Sequence, residues 1–254
     1  MQQKEIKGTD GKSRTALYYV FPILKCYPDE TFEPVGTGFF ISPVGLFVTA
    51  KHVFLDMVER DGSVRSFLVI AHLLREGEMM IRSVSKLFIH GTTDIAVGFA
   101  KPTDIDNETY IFNCSLMLDF SWPVCAQAIS SISFPNTIRA KQADLEVILC
   151  SDFHTEGWIA KLYRHGRDRT FLPGPCYETS MQIYGGSSGE PVFGPSGRVI
   201  GVNSTGYDEF AVSHFIPVSE IIGIDISGVR LSSNRDNDLS IADMVERDLI
   251  RVQH

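Results

Sequence analysis

Residues 184–204 read YGGSSGEPVFGPSGRVIGVNS, setting Ser187 and Ser188 among Gly185, Gly186 and Gly189. A serine on a tight glycine turn can present its hydroxyl as a nucleophile, and glycine lets a substrate carbonyl come close to the backbone N–H groups. Two such N–H groups make an oxyanion hole, where each donor lost costs about 2.7–4 kcal/mol. The nucleophile also needs a neutral imidazole to take its proton and return it to the leaving group. A carboxylate must then hold that imidazole in the right tautomer. A plain glycine-rich hairpin would have the same composition, so the surrounding pattern has to decide.

Two patterns cover the turn, and they choose different serines. Gly185-Gly186-Ser187-Ser188-Gly189 fits G-x-S-x-G, the nucleophile elbow of α/β-hydrolases, with Ser187 as nucleophile. Gly186-Ser187-Ser188-Gly189-Glu190-Pro191 instead resembles the G-x-S-G-x-P signature of trypsin-like peptidases, with Ser188 as nucleophile. Chain order separates them. The elbow requires its acid and histidine downstream, where only His214 and the terminal His254 stand. The trypsin-like order places histidine and aspartate upstream. There, residues 36–54 read GTGFFISPVGLFVTAKHVF. They resemble that family's G-x-G strand, hairpin and T-A-x-H, with Thr49-Ala50-Lys51-His52 at the start of a short helix. Thr93-Asp94-Ile95-Ala96-Val97 resembles its D-I-A-L/V strand. Asp56 is nearer to His52 but would lie one turn along the same helix and point elsewhere. His72, His90, His154, His165 and His254 read as structural or exposed.

The resemblance covers about residues 16–230 and implies a serine endopeptidase working through an acyl-enzyme, without cofactor or metal. It implies a triad of Ser188, His52 and Asp94, with oxyanion donors from the Gly186 and Ser188 N–H groups. Ser204 and Gly206 would bind substrate through their backbone groups as an added strand. Gln182 would lie at the base of the primary specificity pocket, with Asn203, Thr205 and His214 as weaker candidates for its walls. An uncharged Gln182 gives no support to selection of Lys or Arg. His214 reads as an ordinary strand histidine, or as a group recognising an acidic or amide side chain.

Three departures from the family pattern stand out. Val53 replaces the disulfide cysteine of secreted animal members, which aligns the chain with the disulfide-free bacterial or intracellular branch. Ser187 replaces the aspartate that pairs with a cleaved N-terminus in zymogen-type members, so activation of that kind is not expected. Glu190 replaces a small residue two positions after the nucleophile. It would either face solvent or block the site until something moves. The latter leaves open a catalytically silent trypsin-like domain that binds a peptide or protein.

The elements that must position these residues read as short strands. Apolar runs rich in Val, Ile, Phe and Tyr fall at 16–26, 35–42, 45–50, 66–73, 79–89 and 94–100. A second set falls at 124–134, 144–153, 156–163, 176–183, 191–194, 198–204 and 210–216. Turn residues separate them, which predicts an all-β sandwich or barrel architecture, and the resemblance implies two six-stranded antiparallel barrels with the site between them. The expected divisions are an extension over 1–15, barrels over 16–115 and 116–230, and a linker with a C-terminal helix over 231–254. Short helices are expected from Lys51 through HVFLDMVE and near 217–223, and a longer one over 238–250 capped by Ser240. The segment SSNRDND ahead of the last reads as a linker.

Bulk composition narrows the partners. A formal net charge of −8 without a basic stripe disfavours nucleic acid and anionic membrane as partners, and the resemblance implies a peptide or protein substrate. The polar N-terminus lacks the apolar stretch of a signal peptide, and no segment reaches the roughly 20 apolar residues of a membrane helix. The five cysteines are odd in number and form no C-x-x-C pair, so they read as buried, reduced thiols of a cytoplasmic protein.

Overall fold

Strand residues alternate between two environments along most of the chain, and closed barrels are what that alternation builds. The structure is a computed structural model that describes residues 5–27, 31–55, 68–73, 79–100, 113–142, 145–207, 212–232, 235–237 and 239–253. The first barrel comprises β1 (Val20–Cys26), β2 (Phe32–Phe40), β3 (Leu46–Thr49), β4 (Leu68–Leu73), β5 (Met79–Ile89) and β6 (Ala96–Ala100). They close in the order β1-β2-β3-β6-β5-β4.

The second barrel comprises β7 (Ala128–Ser133), β8 (Phe153–Tyr163), β9 (Cys176–Thr179), β10 (Pro191–Phe193), β11 (Val199–Tyr207) and β12 (Val212–Pro217). Its order is β7-β8-β9-β12-β11-β10, which repeats the first barrel's topology although no sequence repeat is visible. All these barrel pairings are antiparallel.

The period of two explains the packing. On β3, Phe47 points into the first barrel with Phe21, Ile23 and Phe40, while Leu46 and Val48 point the other way. Those outward residues join Val20, Phe39 and Val97 in a core shared with Ile132, Phe134, Val199, Val202 and Ile216 of the second barrel. The second barrel's own lumen holds Ile129, Ile159, Tyr177, Val192 and Phe215. Strands such as β3 therefore contribute alternate residues to a lumen and to the seam.

Several sequence expectations shift at element level. The run at 144–153 is not a barrel strand: Leu145–Leu149 pairs with Ile138–Gln142 in a separate hairpin. The supposed linker at 232–238 includes part of another hairpin, Val229–Ser232 with Arg235–Asn237. The C-terminal helix is shorter than expected, Ile241–Glu246, although Ser240 caps it as anticipated and closes a capping box with Asp243. Asp248, at φ 56°, ends any continuation, and Val252–Gln253 then pairs in parallel with Leu118–Asp119. The turns at Lys51–Phe54 and Val218–Gly223 are 3-10 helices. Asp56 and residues 101–112 lie outside the described residues. No helix among the described residues is long and apolar enough to cross a membrane. None of the five cysteines is in a disulfide, but only Cys176 is buried: Cys26, Cys114 and Cys150 are partly exposed and Cys125 is exposed.

Candidate active site

The antiparallel pairing of β3 with β6 sets Thr49 opposite Ala96. The turn carrying His52, just past β3, therefore meets the turn carrying Asp94, just before β6. Val53 and Phe54 are buried and anchor the first of these turns. Two contacts join the pair. The His52 backbone N–H donates to Asp94 Oδ1 at 2.9 Å, and His52 Nδ1 lies 2.8 Å from Asp94 Oδ2. With Nδ1–H donating to the carboxylate, Nε2 keeps its lone pair as an acceptor. The Asp94 side chain is 8% exposed against 39% for His52, so the carboxylate sits behind the ring and the ring meets solvent.

The glycine turn carrying Ser188 belongs to the second barrel, but the first barrel grips it. Thr37 on β2 donates its backbone N–H to Ser188 O at 2.8 Å and its hydroxyl to Gly186 O at 2.9 Å. Gly186 and Gly189 have φ of +86° and +90°, which favours glycine at both. A Cβ on Gly189 would also lie 2.2 Å from Thr49 Oγ1 and 2.3 Å from Thr37 O. Within the turn, Ser187 N–H donates to Tyr184 O, Gly189 N–H to Asn203 O and Glu190 N–H to Ser187 O. Among the described residues, the N–H groups of Gly186 and Ser188 donate to no protein acceptor. They are the two donors that the sequence assigned to an oxyanion.

Ser188 Oγ donates to the carbonyl of Ser204 at 3.3 Å. The Ser204 hydroxyl in turn donates to Asp94 Oδ2. Ser188, Ser204, Asp94 and His52 thus form one connected chain of hydrogen bonds across the two barrels. That side-chain role for Ser204 was missed by sequence reading, which used only its backbone. Strict period two does not reach this residue, because the β11–β12 register shifts between Asn203 and Thr205.

Beyond Val202, β11 pairs only with β12, and β10 no longer covers its other edge. Residues 204–206 therefore present an open strand edge next to Ser188, with Gly206 exposed and Thr205 half-buried. The expected specificity residues are distributed differently from the sequence reading. Gln182 is exposed, and Tyr184 Oη donates to its Oε1 at 3.3 Å. Ile183 is the buried neighbour: a Cβ on Gly206 would lie 2.5 Å from Ile183 Cγ1. Asn203 turns inward to donate to Glu190 Oε1. His214 is buried, in register with Thr205 and Glu178, with Nε2 3.9 Å from Glu178 Oε2. Burial first, and then the charge of Arg167, brings its imidazole down to about 4.

Glu190 departs from both placements expected of it. It neither faces solvent nor obstructs the turn, being 1% exposed and directed among Asn203, Ser131 and Ser133 inside the second barrel.

Comparison with known proteins adds the family dimension. A family model described as a trypsin-like peptidase domain matches residues 36–202. Among solved structures, that of Deg5 superposes with a TM-score of 0.60 at 18% identity, covering 82% of this chain and 87% of that one. The active form of the Rv3671c protease from M. tuberculosis gives 0.56 at 15% identity, covering 81% and 78%. The inactive form of Rv3671c from M. tuberculosis H37Rv gives 0.54 at 14%, covering 82% and 84%. At these identities the likeness is one of fold. No curated relative matches the sequence.

Proposed function

Because this chain belongs to the trypsin-like peptidase family, we propose that it is a serine endopeptidase with Ser188 as nucleophile, His52 as base and Asp94 as the residue that orients it. In this reading Ser188 Oγ attacks the scissile carbonyl carbon as its proton passes to His52 Nε2. The carbonyl oxygen becomes an oxyanion held by the Gly186 and Ser188 N–H groups. Collapse breaks the C–N bond, the amine leaves with the proton from His52, and the acyl group stays on Ser188. Water, deprotonated by His52, then releases the acid and restores the serine. An extended peptide would pair with the open edge at 204–206, so backbone hydrogen bonds supply affinity and side chains supply selectivity.

The observation that carries this reading is the bonded His52–Asp94 pair beside a glycine turn whose Gly186 and Ser188 N–H groups are unspent. One contact favours a second reading. The Ser188 hydroxyl is engaged on Ser204 O, as it would be in a silent domain that only binds peptides. Such contacts are often loose before substrate arrives and tighten in the complex.

A fluorophosphonate probe separates these readings. The expected result is labelling of the wild type and of Ser187→Ala, with none in Ser188→Ala. Labelling that vanishes in Ser187→Ala and survives in Ser188→Ala would move the nucleophile. An unlabelled wild type favours the silent domain.

A further inference from the structure

Beneath the nucleophile turn the second barrel holds a polar cluster where its lumen would otherwise be apolar. Glu190, Asn203, Ser131, Ser133 and Ser187 are each no more than 1% exposed. Asn203 Nδ2 donates to Glu190 Oε1 and lies 3.5 Å from Ser131 Oγ. Ser133 Oγ and Ser187 Oγ are 2.8 Å apart, which ties the residue before the nucleophile to the same cluster. The main chain of Glu190 grips the turn as well. Its N–H donates to Ser187 O and its carbonyl accepts from Asn203 N–H, both at 3.0 Å.

A carboxylate in such a place is costly without a cation, and among the described residues none faces it. The side chains around it are Ser131 and Ser133 from β7, Asn203 from β11 and Ser187 from the turn, while β2 and β3 bring Thr37 and Thr49 against the adjacent Gly189. Of these, none is charged or titrates near neutrality. Burial pushes the Glu190 carboxyl up to about 7, against the polar side chains of Ser133, Asn203 and Ser131 around it, which favour its ionised form. Among the described residues, Glu190 Oε2 and Asn203 Oδ1 are both buried acceptors with no donor. A proton on Glu190 turns one of those acceptors into a donor.

We propose, building on the peptidase reading, that Glu190 as a neutral acid is a positioning residue: its carboxyl seats the Gly186–Gly189 turn on Asn203 and Ser133. Seated in this way, the turn holds Ser188 and the two oxyanion donors in place. Ser187 cannot make the ion pair of a zymogen-type aspartate, and the pull comes instead from below, through Glu190. Ionisation of Glu190 as pH rises puts an unpaired charge in the barrel and loosens the turn.

The test uses the full-length wild type, Glu190→Ala and Glu190→Gln, each below and above neutrality. Amide hydrogen exchange over residues 184–190, corrected for intrinsic pH dependence, reads the seating. The rate of fluorophosphonate labelling reads its consequence. Exchange is expected to be faster in Glu190→Ala, restored in Glu190→Gln, and faster in the wild type than in Glu190→Gln above neutrality. Labelling should follow, slowed about 100-fold in Glu190→Ala, as misplacement of reacting groups by about an ångström does. In Glu190→Gln it should recover and lose the wild type's fall above neutrality.

Unchanged exchange in Glu190→Ala, with the wild type labelled, overturns the seating role and leaves the peptidase reading intact. The expected exchange pattern without labelling of any variant supports the seating and overturns the peptidase reading. Should Glu190→Ala fail to fold, identical pH behaviour of Glu190→Gln and the wild type overturns the proposal.

Discussion

Asp94 accepts three hydrogen bonds, from the His52 backbone, the His52 ring and the Ser204 hydroxyl. Its proposed task is to fix the tautomer of His52, and Asp94→Asn would present a ring with the wrong tautomer. That variant is expected to stay folded and to lose about 10⁴-fold in kcat. Ser204→Ala removes one donor to a carboxylate, a contact worth about 1.5–3 kcal/mol, and should lower kcat roughly 10- to 100-fold. KM should change little in Ser204→Ala, since its hydroxyl faces Asp94 and the peptide would meet its backbone. Steady-state kinetics on a cleaved peptide checks both. A Ser204→Ala enzyme with unaltered kcat would reduce that serine to a backbone element.

At the scale of strands and barrels, three buried titratable groups make stability depend on pH. His72 on β4 accepts from Arg82 at 3.3 Å, and burial together with the Arg82 charge holds its imidazole down at about 3. His214 on β12 is held down at about 4. Both are neutral when folded, yet take up protons below about 6.5 once unfolded. Their contribution to stability is therefore full above that pH and is lost as pH falls. Glu190 works in the opposite sense. Folded it keeps its proton up to about 7, whereas its ordinary value is 4.5, so its contribution falls as pH rises through that window. His90 and Glu220, both half-buried, are shifted down and up, in opposite senses. From the two histidines and Glu190, the unfolded chain binds about one proton more than the folded one between about pH 4.5 and 6.5, and stability should rise by about 1.4 kcal/mol per pH unit. Denaturant midpoints measured across that window should rise, and rise more steeply in Glu190→Gln. A flat or falling midpoint contradicts this balance.

The sequence made the barrel strands legible because period-two apolar runs and turn residues mark strands wherever a lumen and a seam are both apolar. It singled out His52, Asp94 and Ser188 as candidates because chain order and flanking glycines are local features. What it left hidden depends on register. Glu190 shares a face with Val192 of the second lumen, so alternation could have placed it inside. Its charge argued for solvent instead, and only the facing Asn203, Ser131 and Ser133 make burial tolerable. Gln182 and Ile183 are adjacent and point to opposite surroundings, a distinction a one-residue shift in register reverses. The run at 144–153 has the pattern of a barrel strand, and only its pairing partner shows it to be half of a hairpin.

For the molecule as a whole, the site exists only where the barrels meet. The first supplies His52, Asp94 and the Thr37 contacts that hold the turn; the second supplies Ser188, Ser204 and the open edge at 204–206. The shared apolar core fixes the two halves against each other. Both chain ends brace this arrangement near Leu118: Arg251 donates to Thr9 O at 2.6 Å, and Leu118 N–H donates to Arg251 O at 3.0 Å. The most direct measurement is the cleavage profile of a defined peptide library, read by mass spectrometry for the wild type beside Ser188→Ala. Internal cuts with a consistent residue preference in the wild type, absent from Ser188→Ala, are the expected result. Intact peptides with a folded wild type, or the same cuts in both proteins, would contradict a serine peptidase acting through Ser188.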